Sequence, residues 1–308
     1  MTTTAIGSEK HTRGNFGEVR FEGVSKVYEK EGEEKLVALE GLDFLVQKGK
    51  TTVLMGPTGC GKTVLINLIA GYEKPTGGTV YMDGQPVQEP GSDRLVVFQE
   101  SALFPWMTVH ANVTFGCQVQ GMAETQTREK ADHILNVVGL SDFRDKYPSQ
   151  LSGGMQRRAE LARALINDPK IMLMDEPFRG LDAMTRQLMQ EFYVQLYEKE
   201  GHTNLFITHE IDEGIFLADR LAIMTFQPGK IKAEIEVDLP RPRDFKLMAT
   251  PRFMEIKAHA LDLLYEEASK ALAAGRKSSF DLVGALASTK DSCKVPTAWD
   301  PEVGCSKK

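Results

Sequence analysis

"GPTGCGKT", Gly56 to Thr63, lies between the apolar run "TTVLM" (51–55) and the helix-like "VLINLIA" (64–70). A strand, a glycine-rich turn and a helix start in that order point successive backbone N–H groups at an anion, and the helix dipole adds positive potential. Glycine stands where the backbone must bend sharply or approach a phosphate closely. At this spacing Lys62 reaches the β- and γ-phosphates of a nucleoside triphosphate, and the Thr63 hydroxyl is placed to coordinate Mg²⁺. Gly56, Pro57, Thr58, Gly59, Cys60, Gly61, Lys62, Thr63 and Val64 are therefore the candidate nucleotide contacts.

Downstream, "KIMLMDEP" and "TNLFITHE" are continuous apolar runs that end in charged or polar residues. They read as parallel strands buried on both faces. Asp175 and Glu176 then stand at the carboxyl end of a strand, where ligands of open α/β sheets bind. Asp175 is assigned to Mg²⁺ and Glu176 to general-base work on the attacking water, a role worth roughly 10²–10⁴ in rate.

Around these motifs the pattern is mixed. "VRFEGVSKVY" and "LVALEGLDFLVQKG" suit strands joined by the charged turn "EKEGEEK", and "KPTGGTVYMDGQPV" suits a hairpin-like piece with Gly77-Gly78 and Asp83-Gly84 as turn signals. From about Ser101 to Leu165 the pattern is helical, with Ala131, Ile134, Leu135 and Val138 on one face. A helix-length segment runs from Thr185 to Lys199. Thr250 caps a further helix with Pro251 at its first position, and Phe253, Ile256, Ala260, Leu263 and Leu264 form its apolar face. The leader to Asn15 and the tail beyond Lys277 read as mobile.

With 308 residues, 42% hydrophobic and formal charge −6, the chain can bury a full core and offers no electrostatic footprint for nonspecific nucleic-acid binding. Its apolar runs fall short of the roughly 18 residues of a membrane span, and its N-terminus lacks a signal-type core. Cys60, Cys117, Cys293 and Cys305 show no metal-ligand pairing and suit reduced thiols.

"LSGGMQRRAELARAL", Leu151 to Leu165, adds a second glycine-rich helix start able to bind an anion. With the cradle upstream and "MDEP" downstream, the chain resembles the nucleotide-binding subunits of ATP-binding cassette (ABC) transporters over about Val19 to Asp238. The resemblance implies an α/β P-loop NTPase core with a mainly parallel sheet, an N-terminal antiparallel β-subdomain and an inserted α-helical signature subdomain at about 100–165. It implies an ATPase domain at 16–240, a C-terminal helical extension at 241–276 and a tail at 277–308. Two such chains pack head to tail on ATP, so Ser152, Gly153, Gly154, Met155 and Asp182 are expected to meet the partner's nucleotide. Gln99 matches the glutamine that senses the γ-phosphate and Mg²⁺, His209 the switch histidine, and Tyr28 the aromatic that stacks on adenine.

"VVFQESALFPWMTVHANVTFG", "THEIDEGIFLADR" and "LPRPRD" are similar to the ATPases of nitrate, sulfonate and taurine importers. That implies a homodimer on the cytoplasmic face of a membrane, an integral permease, a separate solute-binding protein and no nucleic-acid partner. Leu103 to Trp106 is read as a groove for a permease helix or as subdomain core, and both can hold for different residues of the stretch. The rival reading is a soluble ABC ATPase acting on nucleic acid or ribosomes, although neither a long coiled-coil insertion nor a second cassette is visible. Three residues depart from the family pattern. Val64 lacks a second hydroxyl, Met155 replaces a frequent glutamine, and Arg179 precedes Gly180 where small residues are usual. Arg179 is expected either at the surface or in an ion pair across the dimer.

Overall fold

The computed structural model describes residues 16–29, 35–200 and 202–274. The leader, most of the charged turn, the tail from 277, Cys293 and Cys305 lie outside the described residues. Strands β1 (Val19–Tyr28) and β2 (Leu36–Val46) precede β3 (Thr51–Met55), the cradle and helix α1 (Lys62–Ala70). Next come β4 (Gly77–Met82), β5 (Gln85–Pro86) and β6 (Arg94–Val97), then helices α2 (Val109–Val119), α3 (Glu124–Val137) and α4 (Gly153–Leu165). The chain continues through β7 (Ile171–Asp175), α5 (Ala183–Glu200), β8 (Thr203–Ile207), α6 (Ile211–Leu217), β9 (Arg220–Met224), β10 (Ile231–Glu236) and α7 (Pro251–Ala273).

Two sheets result. An antiparallel sheet has the order β2-β1-β4-β5, and a six-stranded sheet has the order β10-β9-β3-β8-β7-β6. In the larger sheet every neighbouring pair from β9 to β6 is parallel, and only β10 runs antiparallel at its edge. This is the α/β P-loop architecture expected. Successive residues of the central strands leave for opposite faces. Val53, Met172, Met174 and Phe206 enter the core shared with α2 to α7, while Leu54, Leu173, Leu205 and Ile207 enter the core shared with α1 and the antiparallel sheet. Burial on both faces is why these strands are apolar without alternation.

The β4–β5 hairpin turns on Asp83 and Gly84, both at positive φ, the conformation of a two-residue hairpin turn. The helical region begins later than its pattern suggests. Residues 101–104 are irregular and the chain turns at Pro105 and Trp106, so α2 starts only at Val109, where the Thr108 hydroxyl accepts from Ala111 N. Thr250 caps α7 as expected, with its hydroxyl accepting from Phe253 N. Phe253, Ile256, Ala260 and Leu264 are buried and Leu263 is half-buried.

Candidate functional site

Strand order assembles the site. The cradle follows β3, His209 follows β8, Asp175 ends β7 and Gln99 follows β6, so four neighbouring parallel strands deliver these residues to one edge. Gly59 and Gly61 have φ of 81° and 101°, a left-handed backbone that side-chain-bearing residues rarely adopt. A Cβ on Gly56 would lie 2.8 Å from Cys60 Sγ, so the loop closes tightly on the buried thiol. Burial pushes that thiol's pKa up, against the opposing effect of Lys62. Gly61 caps α1 without a side-chain hydrogen bond, leaving the first turn to backbone N–H groups alone. The Lys62 ammonium donates to the carbonyls of Gly56 at 2.8 Å and Pro57 at 3.1 Å, lying across the loop it follows.

The two acidic residues have separate environments. Thr63 Oγ1 donates to Asp175 Oδ2 at 3.0 Å, joining the cradle to β7. Burial raises the Asp175 pKa above the ordinary aspartate value, and the neighbouring Glu176 charge adds to it, while the Thr63 bond opposes. Glu176 has φ 46°, a left-handed backbone uncommon for any residue other than glycine. Its Oε1 lies 2.6 Å from His209 Nε2, and its Oε2 lies 3.0 Å from Arg179 Nη1. Burial pushes the Glu176 carboxyl upward, but His209 and Arg179 together outweigh it and hold the pKa below the ordinary value. A hydroxyl beside a carboxylate is a hard oxygen donor set that suits Mg²⁺. Among the described residues no cluster of three His, Cys, Asp or Glu forms a metal cage. A cation held by Thr63 and Asp175 would take its remaining ligands from water and phosphate.

Tyr28 lines the same cleft of about 400 Å³, with Thr58, Lys62, Val64, His209 and Gln227. Its hydroxyl donates to Glu73 Oε2 at 2.6 Å, and Glu73 also accepts from Asn67 near the end of α1. Lys26 stands 5.0 Å from the ring centroid. Burial, reinforced by Glu73, raises the phenol pKa, so the ring presents itself neutral.

Other expected residues stand apart from this cleft. Ser152 caps α4 by accepting from Met155 N, and the half-buried Met155 packs against the larger core. Gly153 and Gly154 fit beneath α5, since an added Cβ would lie 3.2 Å from Leu181 Cδ2 and 2.8 Å from Thr185 Cγ2 respectively. Asp182 accepts from Thr185 N at the start of α5, which lowers its pKa. Gln99 is exposed and its side chain does not line the cleft, while its carbonyl accepts from Arg157 Nη2 at 2.8 Å.

Two pairings escaped sequence reading, and one stretch divides between the two readings it allowed. Arg179 lies exposed at the surface, one of its two expected places, and it also pairs with Glu176 within the chain, which the sequence did not show. Arg157 and Glu160 form a buried ion pair at 2.6 Å on α4, and it fastens the segment after β6 through Phe98 O, Gln99 O and Ala102 N. Burial lowers the Arg157 pKa and raises that of Glu160. Their i,i+3 spacing on a helix face was the available signal. The Leu103–Trp106 stretch divides: Leu103 is in the core, whereas Trp106 is 70% exposed. Phe104 packs between Trp106 and Phe115, beside a groove of about 520 Å³ lined also by Tyr72, Phe98 and Arg163.

Comparison with known proteins bears on the family and the fold. The family model described as ABC transporter matches residues 39–179. A nitrate import ATP-binding protein of Synechococcus elongatus is 40% identical over 266 residues, covering 85% of this chain and 97% of its own. A taurine import ATP-binding protein of Jannaschia sp. is 40% identical over 238 residues, covering 74% and 87%. Among solved structures, a dimeric ATP-binding cassette in a post-hydrolysis state with ADP and Pi is 31% identical with a TM-score of 0.62, covering 72% of this chain and all of its own. Sequence, fold and motif placement converge, and the chain belongs to the family of ABC transporter ATP-binding proteins.

Proposed function

We propose that this ATP hydrolase powers import of a small anion or organic acid of the nitrate, sulfonate or taurine kind, acting on a separate permease at the cytoplasmic face of a membrane. The observation that carries the proposal is 40% identity to nitrate and taurine import ATPases over most of the chain. Residues 16–240 serve as the ATPase unit, about 100–165 as its moving helical subdomain and 241–276 as an extension. Two copies close head to tail on ATP, each cradle facing the partner's Ser152–Met155 and Asp182. The N–H groups of the cradle and Lys62 bind the phosphates, and Tyr28 supports adenine. Mg²⁺, held by Thr63 and Asp175, would neutralise phosphate charge, and Gln99 would have to swing in from its exposed position to join them. Glu176 accepts the proton of the attacking water, with His209 fixing the carboxylate's orientation. Closure moves the aromatic groove around Phe98, Phe104 and Trp106 against a permease helix.

Among the described residues no helix is long and apolar enough to cross a membrane. The test is mild-detergent purification of the tagged protein from its own cells, with mass spectrometry of what accompanies it. A polytopic membrane protein in near-equal amount supports the proposal, and recovery with ribosomes or nucleic acid alone overturns it.

A further inference from the structure

The cradle has a support outside its own motif. The turn between β9 and β10 lies directly against it: Gln227 Nε2 donates to Gly59 O at 3.1 Å, and a Cβ on Gly229 would fall 2.2 Å from Cys60 O. Gly229 N also donates to Ala38 O at 2.9 Å, which fixes the turn against β2. Gln227 lines the nucleotide cleft itself. The residue before it, Phe226, donates its backbone N–H at 2.8 Å to Glu267, a carboxylate on α7 that is only 1% exposed. Lys232 of β10 at 2.9 Å and Lys270 at 2.6 Å neutralise that carboxylate. A buried, doubly paired carboxylate accepting a backbone N–H is a strong and directional anchor.

We infer that Gln227 is a positioning residue of the ATP cradle and that α7 holds it in place through Glu267, so that the C-terminal helix sets nucleotide affinity. Without the Gln227 amide the Gly59 carbonyl loses its donor, and the left-handed turn at Gly59–Gly61 gains freedom that nucleotide binding must remove. Without Glu267 the Phe226 N–H loses its acceptor, the Gln227 end of the turn is no longer tied to α7 although Gly229 still holds the far end to Ala38, and much of the same freedom returns. The two groups therefore lie in series. The inference rests on the ATP reading of the cradle but not on the identity of the permease.

The experiment is titration of the full chain with a fluorescent ATP analogue in Mg²⁺-free buffer, followed by steady-state hydrolysis with Mg²⁺. The expected result is that Gln227→Ala weakens analogue binding roughly three- to tenfold and raises KM for ATP, with kcat nearly unchanged. Glu267→Ala should match that loss, and the double variant should add little to either, as groups in one chain of contacts do. Glu267→Gln keeps an oxygen for Phe226 N–H and should retain most of the affinity. Failure of the wild-type chain to bind the analogue would overturn the ATP reading itself. Wild-type binding with an unchanged Gln227→Ala constant would overturn this inference alone, and so would additive losses in the double variant. Should Glu267→Ala fail to fold, Gln227→Ala still decides, because its side chain is half-exposed and carries no core packing.

Discussion

Arg179 and Glu176 form an ion pair at 3.0 Å within one turn, on the carboxylate oxygen that His209 does not use. The pair arises locally, since Arg179 N also donates to Glu176 O at 3.1 Å and the left-handed Glu176 backbone bends the chain back on itself. Both oxygens of the proposed base are therefore met by cationic or donor side chains. Replacing Arg179 by serine should raise the Glu176 pKa, because one of the influences that lowers it is gone. The acid limb of the hydrolysis profile then moves to higher pH, measurable as kcat against pH. The folded state holds this carboxyl below its unfolded pKa, so its stabilising contribution is present above the ordinary value and fades as pH falls through the depressed one. Coincident profiles for wild type and variant would remove Arg179 from any influence on the base.

Glu176→Gln should keep ATP binding and reduce kcat by about 10²–10⁴. With the nucleotide trapped, light scattering should report a dimer. A variant that stays monomeric at saturating ATP would contradict composite sites shared between two copies.

The Arg157–Glu160 pair predicts a stability effect away from the chemistry. Glu160→Ala leaves a buried guanidinium unpaired and removes the acceptor of Ala102 N, so it should destabilise the chain by about 3–5 kcal/mol. Denaturant unfolding measures this, and a change near zero would mean that the pair is relaxed by solvent.

Trp106→Ala should alter stability by no more than about 0.5 kcal/mol, since the side chain is largely exposed. ATP hydrolysis should be unaffected, while recovery of the proposed permease in detergent falls. Equal recovery would exclude Trp106 from the docking surface.

What the sequence reveals follows from how local each signal is. β7 and β8 are legible because burial on both faces makes every position apolar. β6 spans only four residues, three of them half-buried, and β10 is a partly exposed edge, so neither carries a clean pattern. Pro105 and the Thr108 cap set a start for α2 that apolar spacing does not mark. At the site, Lys62, Thr63, Asp175 and Glu176 sit in contiguous motifs, whereas the partner of Arg179 depends on the φ of Glu176. Gln227 and Glu267 are invisible for a different reason. Gln227 meets Gly59 across 168 residues and Phe226 meets Glu267 across 41, distances over which a single sequence carries no pairing signal.

The place of β8 between β3 and β7 has a consequence for biogenesis. Thr51 and Ile171 both pair with β8, at Asn204 and Thr203, so the cradle and the carboxylates share no strand until that late segment is made. A nascent chain ending near residue 200 already holds Lys62, Asp175 and Glu176, yet presents two open strand edges where the middle of its sheet belongs. Until β8 is made, the cradle and the carboxylates are joined only through the Thr63–Asp175 bond and the packing of α1, and the unpaired edges of β3 and β7 are exposed to aggregation.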